Sequence, residues 1–187
     1  MKRLLLLVVT AVVLAALPLS AALAGAFTLS IPKTHLAVSQ VGDIQVQASV
    51  DAEGKVVQFQ VSDREYSGSG VEVTLVGHTF WADSLTVVSN LNSTEGLMAD
   101  HDGTITLLTS HGEIILEYDG EATIMHGKDR MHKVIIKSHG DFKVTDATDH
   151  FEELKGIEGA YMMTIVETGI DVGSKVGFKL SAEEVVE

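Results

Sequence analysis

The feature that most restricts what this chain can become is a two-residue alternation of apolar and polar side chains, repeated in short runs over most of its length. Val46, Ala48 and Val50 alternate with Gln45, Gln47 and Ser49, and after Asp51-Ala52-Glu53-Gly54 the pattern resumes at Val57, Phe59 and Val61. A period of two puts every second side chain on one face of a pleated strand, whereas a helix needs apolar residues three and four apart. The same alternation recurs at Val71, Val73 and Leu75, at Leu85 and Val87, and in Gly103–Thr109 and Glu113–Tyr118 around the turn Ser110-His111-Gly112. It returns at Ala122 and Ile124, at Val134 and Ile136, at Phe142 and Val144, at Ile157, Tyr161, Met163 and Ile165, and at Val176, Phe178 and Leu180. Many short strands separated by turn residues are the signature of a sandwich or a barrel. The expected fold class is all-β, a single antiparallel β-barrel of about eight to ten strands with one short helical turn.

Less regular stretches are read as connections. Residues 27–42, with Pro32, form a lead-in that adds at most an edge strand, because proline cannot donate to a ladder. Tyr66-Ser67-Gly68-Ser69-Gly70 reads as a flexible loop, Asn90 to Asp102 as a polar loop or irregular edge, Asp119-Gly120 as a bulge or kink, and His126–Arg130 as a further loop. The helical turn falls at 149–155. Asp149 and Glu152 have capping-box spacing, Phe151 and Leu154 give it an apolar edge, and Gly156 stops it. Gly159 marks a bend or a close backbone approach in the next strand.

The N-terminus reads as a targeting segment. Lys2 and Arg3 precede an apolar run from Leu4 to Leu17 broken only by Thr10, then come Pro18, Ser20 and the small residues Ala22, Ala24 and Ala26. That order is a secretory signal peptide, cleaved after Ala26 or, as the alternative, after Ala24. An uncleaved anchor, which wants about 20 consecutive apolar residues, is the competing reading. The expected division is therefore residues 1–26 as signal peptide and 27–187 as the barrel domain, with a secreted or periplasmic location. Without cysteine the domain has no disulfide staple and relies on its own core. A domain of this size buries roughly 70% of the surface its unfolded chain exposes.

The formal net charge is −13, and it becomes more negative once Lys2 and Arg3 leave. Such a surface repels phosphate backbones and anionic membranes, so nucleic acid is not an expected partner. A transmembrane barrel carries aromatic girdles, but aromatics are 5% of this chain with one tryptophan, so insertion of the mature chain is not expected either.

The run GDFKVTDATDHFEELKGIEGAY resembles a pattern of the allene oxide cyclase and dirigent-like barrel superfamily, with Gly140, Phe142, Val144, Thr145, Thr148, Phe151, Gly156, Gly159 and Tyr161 at the matching positions. The hairpin from Gly103 to Glu121 is similar to the strand pair that precedes the motif there. Asp146-Ala147 and Asp149 stand where that family often has glycine pairs, and no catalytic residue carries over. The resemblance implies an eight-stranded antiparallel barrel whose interior holds an apolar small molecule, and no particular reaction.

The candidate ligand-binding residues are Phe142, Val144, Tyr161 and Met163, with Tyr161 as the hydrogen-bonding tip. Eight histidines invite a metal centre, but none has H-x-H or HExxH spacing, and most are read as solvated loop residues. His132 shares a face with Val134 and Ile136. Asp100-His101-Asp102-Gly103 opens like a calcium loop, yet His111 stands where an EF-hand needs glutamate, so Asp100 and Asp102 are candidates only for a looser calcium site. No other cofactor and no nucleophile–base signature is found. Glu113, Glu117 and Glu121 fall on a solvated outer face, and the methionines Met98, Met125, Met131, Met162 and Met163 read as core filler. The expected function is that of an exported soluble module binding a small apolar or amphipathic ligand or a partner protein. The alternatives are an isomerase or cyclase working in the lumen and a structural cell-envelope protein with a filled barrel.

Overall fold

Strands that are apolar on one face and polar on the other bury the first only by packing it against another layer or by closing on themselves. This chain closes. The computed structural model describes residues 27–40, 47–50, 52–53, 56–60, 64–93, 97–126, 134–167 and 174–182. Residues 1–26, read above as a signal peptide, His132, most of the connection at 126–130 and the tail after 182 lie outside them.

The strands are β1 (Phe27–Gln40), β2 (Gln47–Val50), β3 (Val56–Gln60), β4 (Arg64–Leu75), β5 (His78–Ser93), β6 (Met98–Thr109), β7 (Gly112–His126), β8 (Val134–Ala147), β9 (Glu158–Glu167) and β10 (Ser174–Ala182). Eight of them form a closed antiparallel barrel in the order β1-β10-β9-β8-β7-β6-β5-β4. The ring is sealed where β1 pairs with both β10 and β4, while β2 and β3 pair with each other as a separate hairpin. The barrel that the alternation predicts is therefore present, and the hairpin read at 45–61 is a two-stranded sheet outside its wall.

Several connections turn out to be wall. Residues 27–40 are a full barrel strand rather than an edge lead-in; Pro32 is accommodated because the β1–β10 register shifts between Ile31 and Thr34, a bulge in which no ladder donor is needed. The supposed loop Tyr66–Gly70 lies inside β4, and Tyr66 is fully buried. Asn90–Asp102 is mostly strand, β5 running to Ser93 and β6 starting at Met98. The bulge expected at Asp119-Gly120 is absent: that pair stays in register with Asp141 and Gly140, and the β7–β8 shift falls between Ile115 and Leu116.

The helical turn is a 3₁₀ helix, Asp149–Leu154, with Phe151 and Leu154 buried. Its N-cap is Thr148, which makes no side-chain cap, so the capping box expected from Asp149 and Glu152 does not form. Asp149 itself has φ 53°, outside the range a cap adopts. The expected stop at Gly156 holds, with φ 89° and its N–H donated to the Val144 carbonyl.

Glycines let the wall curve. On the inner face Gly103 lies opposite Tyr118, Gly140 opposite Tyr161 and Gly159 opposite Phe142. A Cβ at Gly140 would stand 2.1 Å from the Asp119 carbonyl oxygen, and one at Gly159 would stand 2.4 Å from that of Ser181. Neighbouring strands thus approach too closely for any side chain, and the aromatic ring of the paired residue lies where the glycine leaves space. Phe142 reaches in this way to Phe27, with ring centroids 5.8 Å apart. The inward side chains of all eight strands merge into one cluster. Each fully buried leucine or isoleucine in it contributes roughly 1.5–3 kcal/mol.

Candidate functional site

The inward and outward faces of β5–β9 carry different chemistry, and register explains both. On the outside, Asn90, Asp102, Asp119 and Asp141 form one cross-strand row, since 90 pairs with 102, 102 with 119 and 119 with 141. The adjacent row is Thr104, Glu117, Lys143 and Glu158. Between the rows, where the inner glycines bend the wall, lies an open groove of about 800 Å³ whose floor includes Gly103, Tyr118, Phe142 and Gly159. Five carboxylates frame it against one ammonium. Carboxylates directly opposite one another on neighbouring strands repel, so this row costs stability in the free protein. Among the described residues, two of the five carboxylates have side-chain partners in the wall: Asn90 Nδ2 donates to Asp102 Oδ2 at 2.8 Å, and Lys143 Nζ pairs with Glu158 Oε1. The hydrogen bond to Glu158 and its charge raise the Lys143 pKa.

Inside the same wall sits a polar layer that alternation does not disclose. His101, fully buried, has its Nε2 2.8 Å from Ser89 Oγ and 3.2 Å from Tyr118 Oη. Tyr118 donates to the Val88 carbonyl at 2.8 Å, and Tyr161 donates to the His101 carbonyl at 3.3 Å. The His101 and Tyr118 rings meet edge to face, and the Tyr118 and Tyr161 centroids are 5.0 Å apart. Burial lowers the His101 pKa to about 4 against the opposing pull of Asp102, so the imidazole is neutral at pH 7. Burial also raises both phenols, Tyr161 to about 12, with the Ser138 hydroxyl beside it pulling the other way.

A second buried polar cluster lies where β4 begins and β9 ends. Arg64 Nη1 pairs with Glu167 Oε1 at 2.7 Å, and Tyr66 donates to the same oxygen at 2.7 Å. In the ring β1 and β10 lie between β4 and β9, so this cluster ties the wall together across the interior.

The four predicted ligand-binding residues are brought together, but as core. Phe142 (3% exposed), Val144 (0%), Tyr161 (2%) and Met163 (2%) are inward residues of β8 and β9 within the contiguous cluster, and of the four only Phe142 borders the groove. Tyr161 does carry a hydrogen bond, directed to the protein's own backbone. Asp100 and Asp102 lie on β6 rather than in a calcium loop, side by side on the outer face, with Asp102 in the groove. Among the described residues no group of three or more His, Cys, Asp or Glu side chains is placed to hold a metal ion. The reading of the histidines as loop residues fails at His101, and the absence of a serine–histidine signature in the sequence hid Ser89 and His101, which meet only through β5–β6 pairing. Met163 is core as expected, whereas Met162 is 61% exposed and Met98 also faces out.

No protein-family model, curated protein or solved structure matches this chain. The eight-stranded antiparallel barrel that the sequence resemblance implies is the observed architecture.

Proposed function

We propose that this chain is an exported binding module that takes a small amphipathic cation in the outer groove over β5–β9. The observation that carries the reading is the groove of about 800 Å³ framed by Asp102, Glu117, Asp119, Asp141 and Glu158 against Lys143 alone. That volume lies within the range of small-molecule sites. A bound ammonium would relieve the repulsion within the aspartate row, so affinity and wall stability rise together. An apolar portion of the ligand would lie along the floor at Tyr118 and Phe142. The lumen is the less supported location, because its side chains are packed against one another.

Calorimetric titration with decylammonium, spermidine and decanoate tests this. Decylammonium binds best, spermidine less well and decanoate not at all. Replacing Asp102, Asp119 and Asp141 together by asparagine weakens decylammonium at least tenfold. Equal affinity for the ammonium and the carboxylate, or an unchanged affinity in the triple variant, overturns the reading.

Export rests on the sequence of residues 1–26. Intact-mass measurement of protein from its own host should give a chain beginning at Phe27, or at Gly25 if the alternative site is used. A chain retaining Leu4–Leu17 overturns it.

A second reading, an isomerase or cyclase, draws on one observation. His101 is a neutral base held 2.8 Å from Ser89 Oγ. Both groups are buried to 1% or less, so a substrate would need an opening in the wall, and the binding reading stands first.

A further inference from the structure

The end of the barrel where the 3₁₀ helix packs carries two histidines that the outer groove does not involve. His111 sits in the turn between β6 and β7, and His150 is the second residue of the helix. Both side chains are exposed, and their ring centroids lie 5.7 Å apart with the planes at 67°. They are distant in sequence and meet because the chain leaving β8 folds back on the β6–β7 hairpin.

Backbone bonds fix the two carriers against each other. His150 N–H donates to the His111 carbonyl at 3.2 Å, Thr148 N–H to the Glu113 carbonyl at 3.0 Å, and Glu113 N–H to Thr148 Oγ1 at 3.0 Å. His111 N–H donates in turn to Thr109 Oγ1 at 3.0 Å. The helix is anchored as well by Phe151, which is buried and stacks on Phe80 with ring centroids 6.3 Å apart. Main chain held in this way leaves little to be ordered when something binds between the two imidazoles.

The ring spacing is close to that of two imidazoles sharing one metal ion. A cation about 2.0–2.1 Å from one nitrogen of each ring, with a tetrahedral angle between them, holds the ring centres about 5.2 Å apart. The observed separation exceeds this by about half an ångström, which a torsion of His150 closes, since that ring makes no side-chain hydrogen bond among the described residues. His111 is already oriented, because Ser110 Oγ lies 3.0 Å from its Nδ1 and leaves Nε2 for a metal. With Nε2 on a metal, Nδ1–H donates to that hydroxyl, the kind of outer-shell support that metal-ligating histidines have. Glu113, Asp149, Glu152 and Glu153 flank the pair in sequence, and neither Thr109–Glu113 nor Thr148–Leu154 contains a lysine or arginine, so the local field favours a cation.

We infer that His111 and His150 form a two-imidazole site for a borderline divalent cation of the Zn²⁺ and Cu²⁺ class, with water completing the coordination. Imidazole suits these ions, whereas Ca²⁺ and Mg²⁺ take oxygen ligands. A pair of protein ligands is fewer than a closed structural site uses, so the ion is exchangeable. Bound there, it bridges the hairpin turn and the helix and braces this end of the barrel. The site shares no residue with the outer groove and does not depend on how that groove is used.

Calorimetric titration of the untagged chain with ZnCl₂ and CaCl₂ tests this, with His111→Gln, His150→Gln and, as a control on another exposed histidine, His139→Gln. One zinc site is expected in the wild type, weakened at least tenfold in each of the first two variants and unchanged in the control, with no calcium binding. The electron paramagnetic resonance of added Cu²⁺ should show two coupled nitrogens in the wild type and one in His111→Gln or His150→Gln. Zinc should raise the unfolding midpoint of the wild type and of His139→Gln only. Zinc affinity unchanged in either of the first two variants, a loss of the same size in His139→Gln, or a single coupled nitrogen in the wild type overturns the inference.

Discussion

Two buried polar clusters hold this barrel together from within, and they differ in kind. The one at Arg64, Tyr66 and Glu167 is ionic, with two donors converging on a single carboxylate oxygen at the end of the barrel. The one at Ser89, His101, Tyr118 and Tyr161 is neutral, with hydroxyls, an imidazole and backbone carbonyls in the middle of the wall. Both join strands that are not neighbours: β4 to β9 in the first, β5 to β7 and β6 to β9 in the second. An ionic tie is far costlier to break on one side than to replace whole, because the surviving charge stays buried. A neutral network loses only what each missing hydrogen bond leaves unsatisfied. The comparison therefore predicts unequal losses for single changes and opposite behaviour in double changes.

The largest effect should come from Glu167→Gln, which strands the Arg64 guanidinium. Denaturant unfolding should show a loss of about 3–5 kcal/mol. The double variant Arg64→Met with Glu167→Leu should recover most of that loss, and failure to recover would mean that the pair supplies net stability rather than merely demanding its own completion.

Next is a pH dependence confined to the neutral cluster. The folded His101 pKa is lowered to about 4 from 6.5, so between these values the unfolded chain binds the proton and the folded one does not. Stability is fully present above pH 6.5 and falls as pH drops toward 4, by about 3 kcal/mol in all. In His101→Gln that slope should vanish between pH 6.5 and 4, as measured by urea midpoints. At the alkaline end the signs reverse for the phenols. The chain's three tyrosines, Tyr66, Tyr118 and Tyr161, are all buried with raised pKa values. Phenolate absorbance should therefore lag behind that of free tyrosine above pH 10, with Tyr161 first at about 12 and stability lost as the unfolded chain ionises ahead of the folded one.

Tyr118→Phe removes the donor to Val88 and the contact to His101 while keeping the ring over Gly103. A loss of about 1–2 kcal/mol is expected, smaller than for Glu167→Gln. A loss as large as that of Glu167→Gln would erase the distinction between the clusters. The smallest effect belongs to Lys143→Met, since its pair with Glu158 is fully exposed on the outer wall. The unfolding midpoint should not move measurably, although affinity for an ammonium in the groove should rise.

What was legible in the sequence follows the same division between apolar and polar interior. Wherever the inward residues are Val, Leu, Ile or Phe, as at Ile114 and Leu116 in the first half of β7 and at Val176, Phe178 and Leu180 in β10, alternation reveals the strand. Where the inward set is Ser89, Ala99, His101 and Gly103, or Tyr66 and Gly68, the contrast between faces disappears, and wall is mistaken for loop. In β1 the bulge around Pro32 changes which parity points inward, so Ile31 and Leu36 no longer match. The groove was illegible for a different reason. Asp102, Asp119 and Asp141 are far apart in sequence and become a row only through strand register, which turns and bulges set. The resemblance around Gly140–Tyr161 pointed to residues that share a face, but that face belongs to the core.

Closure of the ring at β1 has a consequence for how anything can attach to this protein. With β1 bonded to β10 along most of its length and to β4 at Leu29–Ser30 and Ala37–Gln40, the described ring leaves a foreign strand little backbone ledge to extend, whether from another copy in a crowded compartment or from an extended peptide. Recognition at the barrel wall then works mainly through side chains, and evolution could alter its specificity there by exchanging outward residues without disturbing the hydrogen-bonded hoop beneath them.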